Sequence, residues 1–384
     1  MKKMILLISA LSLLMFCSPK QDEVKRIMED GVEVVFNHLE PYNIEEEPNI
    51  LHLEKKFTID TEKYDITKIG LTDIQGFDVD SEDNIYFFLP PLSPEKLIYK
   101  FDKDGNFIAS FGQKGQGPGE LQHAYYQRIT IDDEIPIVSG RKLLFFDSEG
   151  NFIKEKNFEL GVVAGGLFPL GNGNFLMRTF EGMTRGPIDS PPEDDDILLL
   201  SITNSELRTL KVIDVLRLNR LLLAMRSVHL MPVYFWEVSH GNIYIGNNRW
   251  GYEIRVFDLN GNLLKKIKKE YKPVKFPKEI RDEFKRANRV TPENQPPFQR
   301  LFFTDDDGRL FLMTFEKGEN PNEYMFDIFN SDGIFIAKKS LDIYVERFTG
   351  NFPLYAKAKN KRLYCLKEKS SGYKELVVYK MNWE

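Results

Sequence analysis

The sequence predicts an all-β protein, a six-bladed β-propeller with short helical or loop insertions. Three observations lead there. A strand–turn–strand unit recurs at Phe101–Ile108, Phe146–Ile153 and Phe257–Leu264, each with Asp in its second place and Gly-Asn in its fifth and sixth. A weaker copy stands at Phe329–Ile336. Strand signals fall into six regions with almost no helical pattern between them. Finally, 30 Phe and 16 Tyr suit pleated, half-buried strands. Repetition of one such unit along a chain implies a stacked or radial array.

The repeated turn has a local cause. A tight hairpin needs positive φ near its centre, which Gly or Asn supplies at little steric cost. The flanking residues alternate or run apolar, as in strands buried between neighbouring sheets. The six regions are Ile74–Gly112, Arg128–Phe158, about Gly166–Ile213, Tyr234–Tyr271, Phe298–Leu341 and Tyr355–Glu384. The last is one strand short. Either Leu51–Ile59 or Val32–Phe36 could supply it from the N-terminal side and close the ring, which protects sheet edges.

Residues 1–16 read as an export signal. Lys2 and Lys3 precede an apolar stretch from Met4 to Phe16, too short for a comfortable membrane span. Cys17 and a polar run follow, and the whole resembles a bacterial lipoprotein signal, which implies a lipidated Cys17 anchored in a bilayer of the cell envelope. An uncleaved anchor and a plainly secreted protein are the alternatives. The expected organisation is a leader over 1–16, a tether and N-terminal segment over 17–50 (with residues 18–31 a tether or short helix), and the propeller over 51–384. The net charge of −6 argues against a nucleic-acid partner. With only Cys17 and Cys365, no disulfide framework or cysteine zinc site is expected, and Cys365, inside an apolar run, reads as a buried strand residue.

Two insertions interrupt the blades. Residues 214–233 carry Arg217, Arg220 and Arg226 and read as a short helix or an extra strand. In 272–297, Ile280, Phe284 and Ala287 share one helical face after Pro277, and the prolines beyond read as loop. Both insertions are candidates to cap one mouth of the propeller.

Gly112-Gln113-Lys114-Gly115-Gln116-Gly117-Pro118-Gly119-Glu120-Leu121, following Phe111, closely resembles the inter-blade segment of NHL repeats. The six-blade phasing is similar to that of bacterial propeller lipoproteins related to NHL and TolB-like folds. This resemblance implies a fold and an envelope location, with little chemistry.

Candidate ligand-binding residues are His123, Tyr126 and Arg128, which follow the Gly-rich loop toward an inner strand, with Arg178, Arg226, His229, Arg249 and Trp250. Arg and aromatic side chains facing one mouth would suit an acidic or glycan-like ligand. The Gly-rich loop lacks the ending of a phosphate-binding loop and reads as a structural turn. Asp102, Asp104 and Asn106, like Asp305 and Asp307, lack the remaining ligands of a calcium loop and read as hairpin turns. The acidic run Glu193–Asp196 reads as a solvated loop, and His240 as a turn residue. No catalytic motif stands out, and no metal or other cofactor is expected. The expected role is binding of an envelope protein, a glycan or a small ligand at one mouth of the central channel. The alternative is a metal-dependent hydrolase or lyase of lactonase type, with its ligands gathered on the axis.

Overall fold

The computed structural model describes residues 24–90, 96–122, 125–126, 128–157, 162–181, 196–218, 234–247, 249–286, 293–299, 301–343 and 355–384. The chain is a six-bladed β-propeller, with six antiparallel blades in sequence order. Blade I holds β4 (Gly76–Val79), β5 (Ile85–Phe88), β6 (Lys96–Phe101) and β7 (Phe107–Gln113). Blade II holds β8 (Tyr125–Tyr126), β9 (Ile135–Ser139), β10 (Lys142–Phe146) and β11 (Phe152–Asn157). Blade III holds β12 (Val162–Pro169), β13 (Phe175–Glu181), β14 (Asp196–Thr203) and β15 (Thr209–Leu218). The first residues of the 214–233 insertion thus continue an outer strand, and 219–233 lie outside the described residues.

Blade IV holds β16 (Tyr234–Ser239), β17 (Asn242–Asn247), β18 (Glu253–Asp258) and β19 (Leu263–Lys269). Blade V holds β20 (Phe302–Thr304), β21 (Leu310–Lys317), β22 (Tyr324–Phe329) and β23 (Phe335–Leu341). Blade VI holds β24 (Ala356–Lys359), β25 (Arg362–Glu368), β26 (Lys374–Trp383) and, from the far end of the chain, β3 (Leu51–Asp60). β3 pairs antiparallel with β26, from Leu51↔Trp383 to Asp60↔Glu375. This is the ring closure expected of Leu51–Ile59.

Val32–Phe36, the other candidate, has a different place. β1 (Lys25–Glu29) and β2 (Val32–Asn37) form a hairpin, and β2 lies parallel to β19, which extends blade IV to six strands. Residues 25–29 and 32–37 of the expected tether are therefore paired sheet, and Lys25–Glu29 is strand where a tether or short helix was expected. Asn37 explains why it stays there. Its buried amide donates to the Gly333 carbonyl at 3.0 Å and the Lys268 carbonyl at 3.1 Å, and its Oδ1 accepts the Phe335 N–H at 2.8 Å. One side chain thus ties the hairpin to blades IV and V together.

The cores lie between blades. Tyr86, Phe88 and Phe111 of blade I meet Ile135, Leu144 and Phe146 of blade II. Val138 and Phe145 of blade II meet Leu167 and Phe175 of blade III. Middle strands such as β5 and β9 are buried along their whole length, because both faces of each blade are covered. Among the described residues there are two helices: α1 (Tyr64–Lys68), and α2 (Lys278–Arg286) in the 272–297 insertion, where the helical pattern was read. Ala287 lies outside the described residues. No helix among the described residues is long and apolar enough to cross a membrane.

Candidate ligand site on the propeller axis

Each blade begins with its innermost strand, so β4, β8, β12, β16, β20 and β24 ring the axis. A charged residue on these strands therefore meets partners from other blades. Asp78 sits on β4 and is fully buried. Its carboxylate accepts the Ile129 N–H at 2.8 Å, from the segment after β8, and its own neighbour Val79 N–H at 2.8 Å. It also pairs with the ammonium of Lys357 on β24, which in turn donates to the Val79 carbonyl at 3.1 Å. Arg128, just after β8, reaches Glu237 on β16 and donates to its Oε1 at 2.7 Å. Four blades, I, II, IV and VI, thus share one polar network.

The cations here differ in their partners. Arg128 is committed to Glu237 and Lys357 to Asp78, while Lys359 donates to the Val79 carbonyl at 3.3 Å. Burial lowers the Lys359 ammonium from its ordinary value, and the neighbouring Lys357 lowers it further. Burial also works against the charge of Asp78, but Lys357, Arg128 and the Ile129 amide together hold its carboxyl below the usual range. Glu237 goes the other way: burial pushes its carboxyl up, and the Arg128 guanidinium only partly offsets this. Aromatic rings back the arginines. The Arg128 guanidinium lies 5.7 Å from the Phe168 ring centre, and Arg178, one strand out on β13, lies 5.5 Å from that of Trp236.

The hairpins that follow the inner strands are stitched around the rim. Ser81 donates to the Asp133 carboxylate across blades I and II, with its N–H at 2.9 Å. Asn360 of blade VI donates its side-chain amide to Asp83 of blade I at 2.8 Å and its N–H to Asp306 of blade V at 2.9 Å. His240 of blade IV, in the turn expected of it with φ 51°, meets the Asp306 carbonyl at 3.0 Å. The rim carboxylates Asp83, Asp133 and Asp306 are therefore engaged in holding blades together.

Of the residues singled out from sequence, Arg128 and Arg178 come to this region. Tyr126 lies in the inner strand β8. His123, Arg226, His229 and Cys17 lie outside the described residues. Arg249 is exposed in the turn after β17, with its N–H on the Asn247 side chain at 2.9 Å. Trp250 lies under the Arg255 guanidinium at 3.7 Å and packs on the core between blades III and IV, beside Tyr234. Trp250 thus serves blade packing and Arg249 a turn. Sequence reasoning missed Asp78, Glu237, Lys357 and Lys359. The available signal was a charged residue inside a short apolar run at the start of a blade, as in Tyr234-Phe235-Trp236-Glu237-Val238.

The other acidic candidates are turns. The Asp102 carboxylate accepts the N–H groups of Asp104 and Asn106 at 2.9 and 2.8 Å and the Asn106 amide at 2.9 Å. Asp305 accepts those of Asp307 and Arg309 at 3.1 and 2.9 Å. Glu193–Asp195 lie outside the described residues. Among the described residues no group of three or more His, Cys, Asp or Glu is arranged to hold a metal ion. Cys365 is buried in β25, which pushes its thiol up to about 12.

Residues 78–185 match the model of the DUF5128 family, described as a six-bladed β-propeller. Two solved structures are similar over most of the chain. One, from Bacteroides fragilis and named "Putative exported protein", is 12% identical with a TM-score of 0.50, covering 91% of this chain and 99% of its own. The other, a member of the DUF4221 family from Bacteroides vulgatus, is 11% identical with a TM-score of 0.51, covering 88% and 100%. At such identities the likeness is one of fold. No curated protein matches the chain.

Proposed function

We propose that this propeller is an exported, lipid-anchored binding module that takes an anionic ligand in its central channel. One observation carries the ligand class: Lys357 and Lys359 stand together at the axis, where Lys357 pairs with Asp78, Lys359 donates to the Val79 carbonyl, and the charge of Arg128 goes to Glu237. An ammonium lowered by burial and by a like charge gains from any anion placed beside it. Arg128 over Phe168 and Arg178 over Trp236 add ring-backed positive charge to the same region. Export is supported by the leader and by the name of the Bacteroides fragilis neighbour, an exported protein. Anchoring is supported by Cys17 at the end of the leader.

The ligand reading is tested by calorimetric titration of the purified domain with small polycarboxylates and acidic sugars. Binding that weakens about tenfold in Lys359→Ala, and that weakens further with salt, is the expected result. Equal binding by wild type and variant, or no anion binding, ends it. Separately, Cys17→Ser should abolish acyl labelling and release the protein from membranes, and persistent labelling would overturn the anchor.

A further inference from the structure

A second cavity lies away from the axis, in the cleft between blades IV and V, with a volume of about 430 Å³. Its floor is a buried ion pair. Lys269 at the end of β19 and Asp327 on β22 stand 3.4 Å apart, with side chains 4% and 3% exposed. The Tyr252 hydroxyl donates to Asp327 Oδ2. Lys269 also donates to the Glu270 carbonyl at 3.1 Å, and its ammonium lies 4.5 Å from the Phe335 ring centre. Asp327 Oδ1 is buried and accepts no hydrogen bond. A buried carboxylate oxygen left this way is costly, and such groups call for an explanation.

The walls narrow the ligand class. Higher in the cleft Lys338 pairs with Glu316 at 3.0 Å, so the charges at the centre already neutralise one another. At the floor an entering ion would meet only the paired charges of Lys269 and Asp327 and would lose its hydration; the other charged lining residues, Glu40 and Lys272, are exposed to solvent. A hydroxyl needs less, because it both donates and accepts. It could donate to the spare oxygen of Asp327 and accept from the ammonium of Lys269. Tyr271, 40% exposed, and the Tyr252 ring, 6.0 Å from it, add flat apolar surface at the same opening, with Pro273 and Pro297. The volume falls within the range of roughly 300–1,000 Å³ usual for small-molecule sites.

We propose that this inter-blade cleft is a binding site for a neutral sugar, held by the Lys269–Asp327 pair through a hydroxyl and by Tyr271 through a ring face. The inference is independent of the axial anion site, since it shares no residue with it.

The test is ligand-observed saturation-transfer NMR and calorimetry on the purified domain with glucose, galactose, mannose, N-acetylglucosamine and their common disaccharides. At least one should bind with a dissociation constant of roughly millimolar or tighter. That affinity should fall about tenfold or more in Asp327→Asn and in Tyr271→Ala, and stay unchanged in Lys359→Ala. Should Asp327→Asn fail to fold, the surface variant Tyr271→Ala decides alone. No binding of any of these sugars by the wild type, or binding that Tyr271→Ala leaves intact, overturns the proposal. Loss of sugar binding in Lys359→Ala would also overturn it, by moving the site to the axis.

Discussion

Asp147 shows what the repeated turn is for. Its carboxylate accepts the N–H groups of Glu149 and Asn151 at 3.0 and 2.7 Å and the Asn151 amide at 2.9 Å. Asp258 repeats the pattern, with 2.9, 2.7 and 2.7 Å. Partial burial opposes the charge, but these donors hold the carboxyls of Asp102, Asp147 and Asp258 below the ordinary 3.8. A carboxyl depressed on folding adds stability that is complete above its unfolded value and is lost as pH falls through the folded one. Changing all three to Asn should therefore flatten the loss of thermal stability below about pH 4, measured as melting temperature against pH. An acid limb as steep as the wild type's would refute this.

At the axis the stakes are higher. Arg128→Met strands Glu237 in a buried setting and should cost about 3–5 kcal/mol in urea unfolding, with much of it recovered in Arg128→Met/Glu237→Met. Additive losses would mean the pair is not coupled. Arg128 was legible in sequence because the Gly-rich loop delivers it to an inner strand. Its partners were not, because they lie 50 to more than 200 positions away and meet only once the ring is formed.

At the level of elements, the turn glycines do more than permit a hairpin. A Cβ built on Gly105 would meet Phe57 of β3 at 2.9 Å, one on Gly150 would meet Phe111 of β7 at 2.5 Å, and one on Gly333 would meet Ile267 of β19 at 2.8 Å. Each of these turns leans on the outer strand of the preceding blade. The Phe-Asp-x-x-Gly-Asn signature is readable because half of its purpose is local; the contact with the preceding blade is invisible from spacing alone. Gly150→Ala, at φ +87° and with Phe111 in the way, should lose about 2–4 kcal/mol. A loss below about 0.5 kcal/mol would show that the blades tolerate separation there. The β1–β2 hairpin was misjudged for a related reason. Its strand pattern is ordinary, but its partner β19 lies more than 200 residues ahead, and the chain between 17 and 50 is polar enough to look like linker.

At the scale of the whole molecule, blade number followed from the sequence because each blade is a run of local hairpins, whereas the boundaries of two blades were drawn too short: β8 lies before Arg128, and blade III runs from Val162 to Leu218. Closure followed as one of two options, since strand pattern alone could not choose between Leu51–Ile59 and Val32–Phe36. Removal of 374–384 takes away the partner of β3 and should convert one cooperative unfolding transition into a broad, less stable one, followed by circular dichroism. An unchanged sharp transition would mean that the ring does not depend on this seam.

The same seam sets a clock. Strand Leu51–Asp60 leaves the ribosome among the first, and its partner Lys374–Trp383 among the last. At 5–20 residues per second the wait is roughly 15–60 s. Throughout that interval five blades can form while both ends of the array stay open. However early Leu51–Asp60 appears, the ring therefore stays unsealed until Lys374–Trp383 has been made.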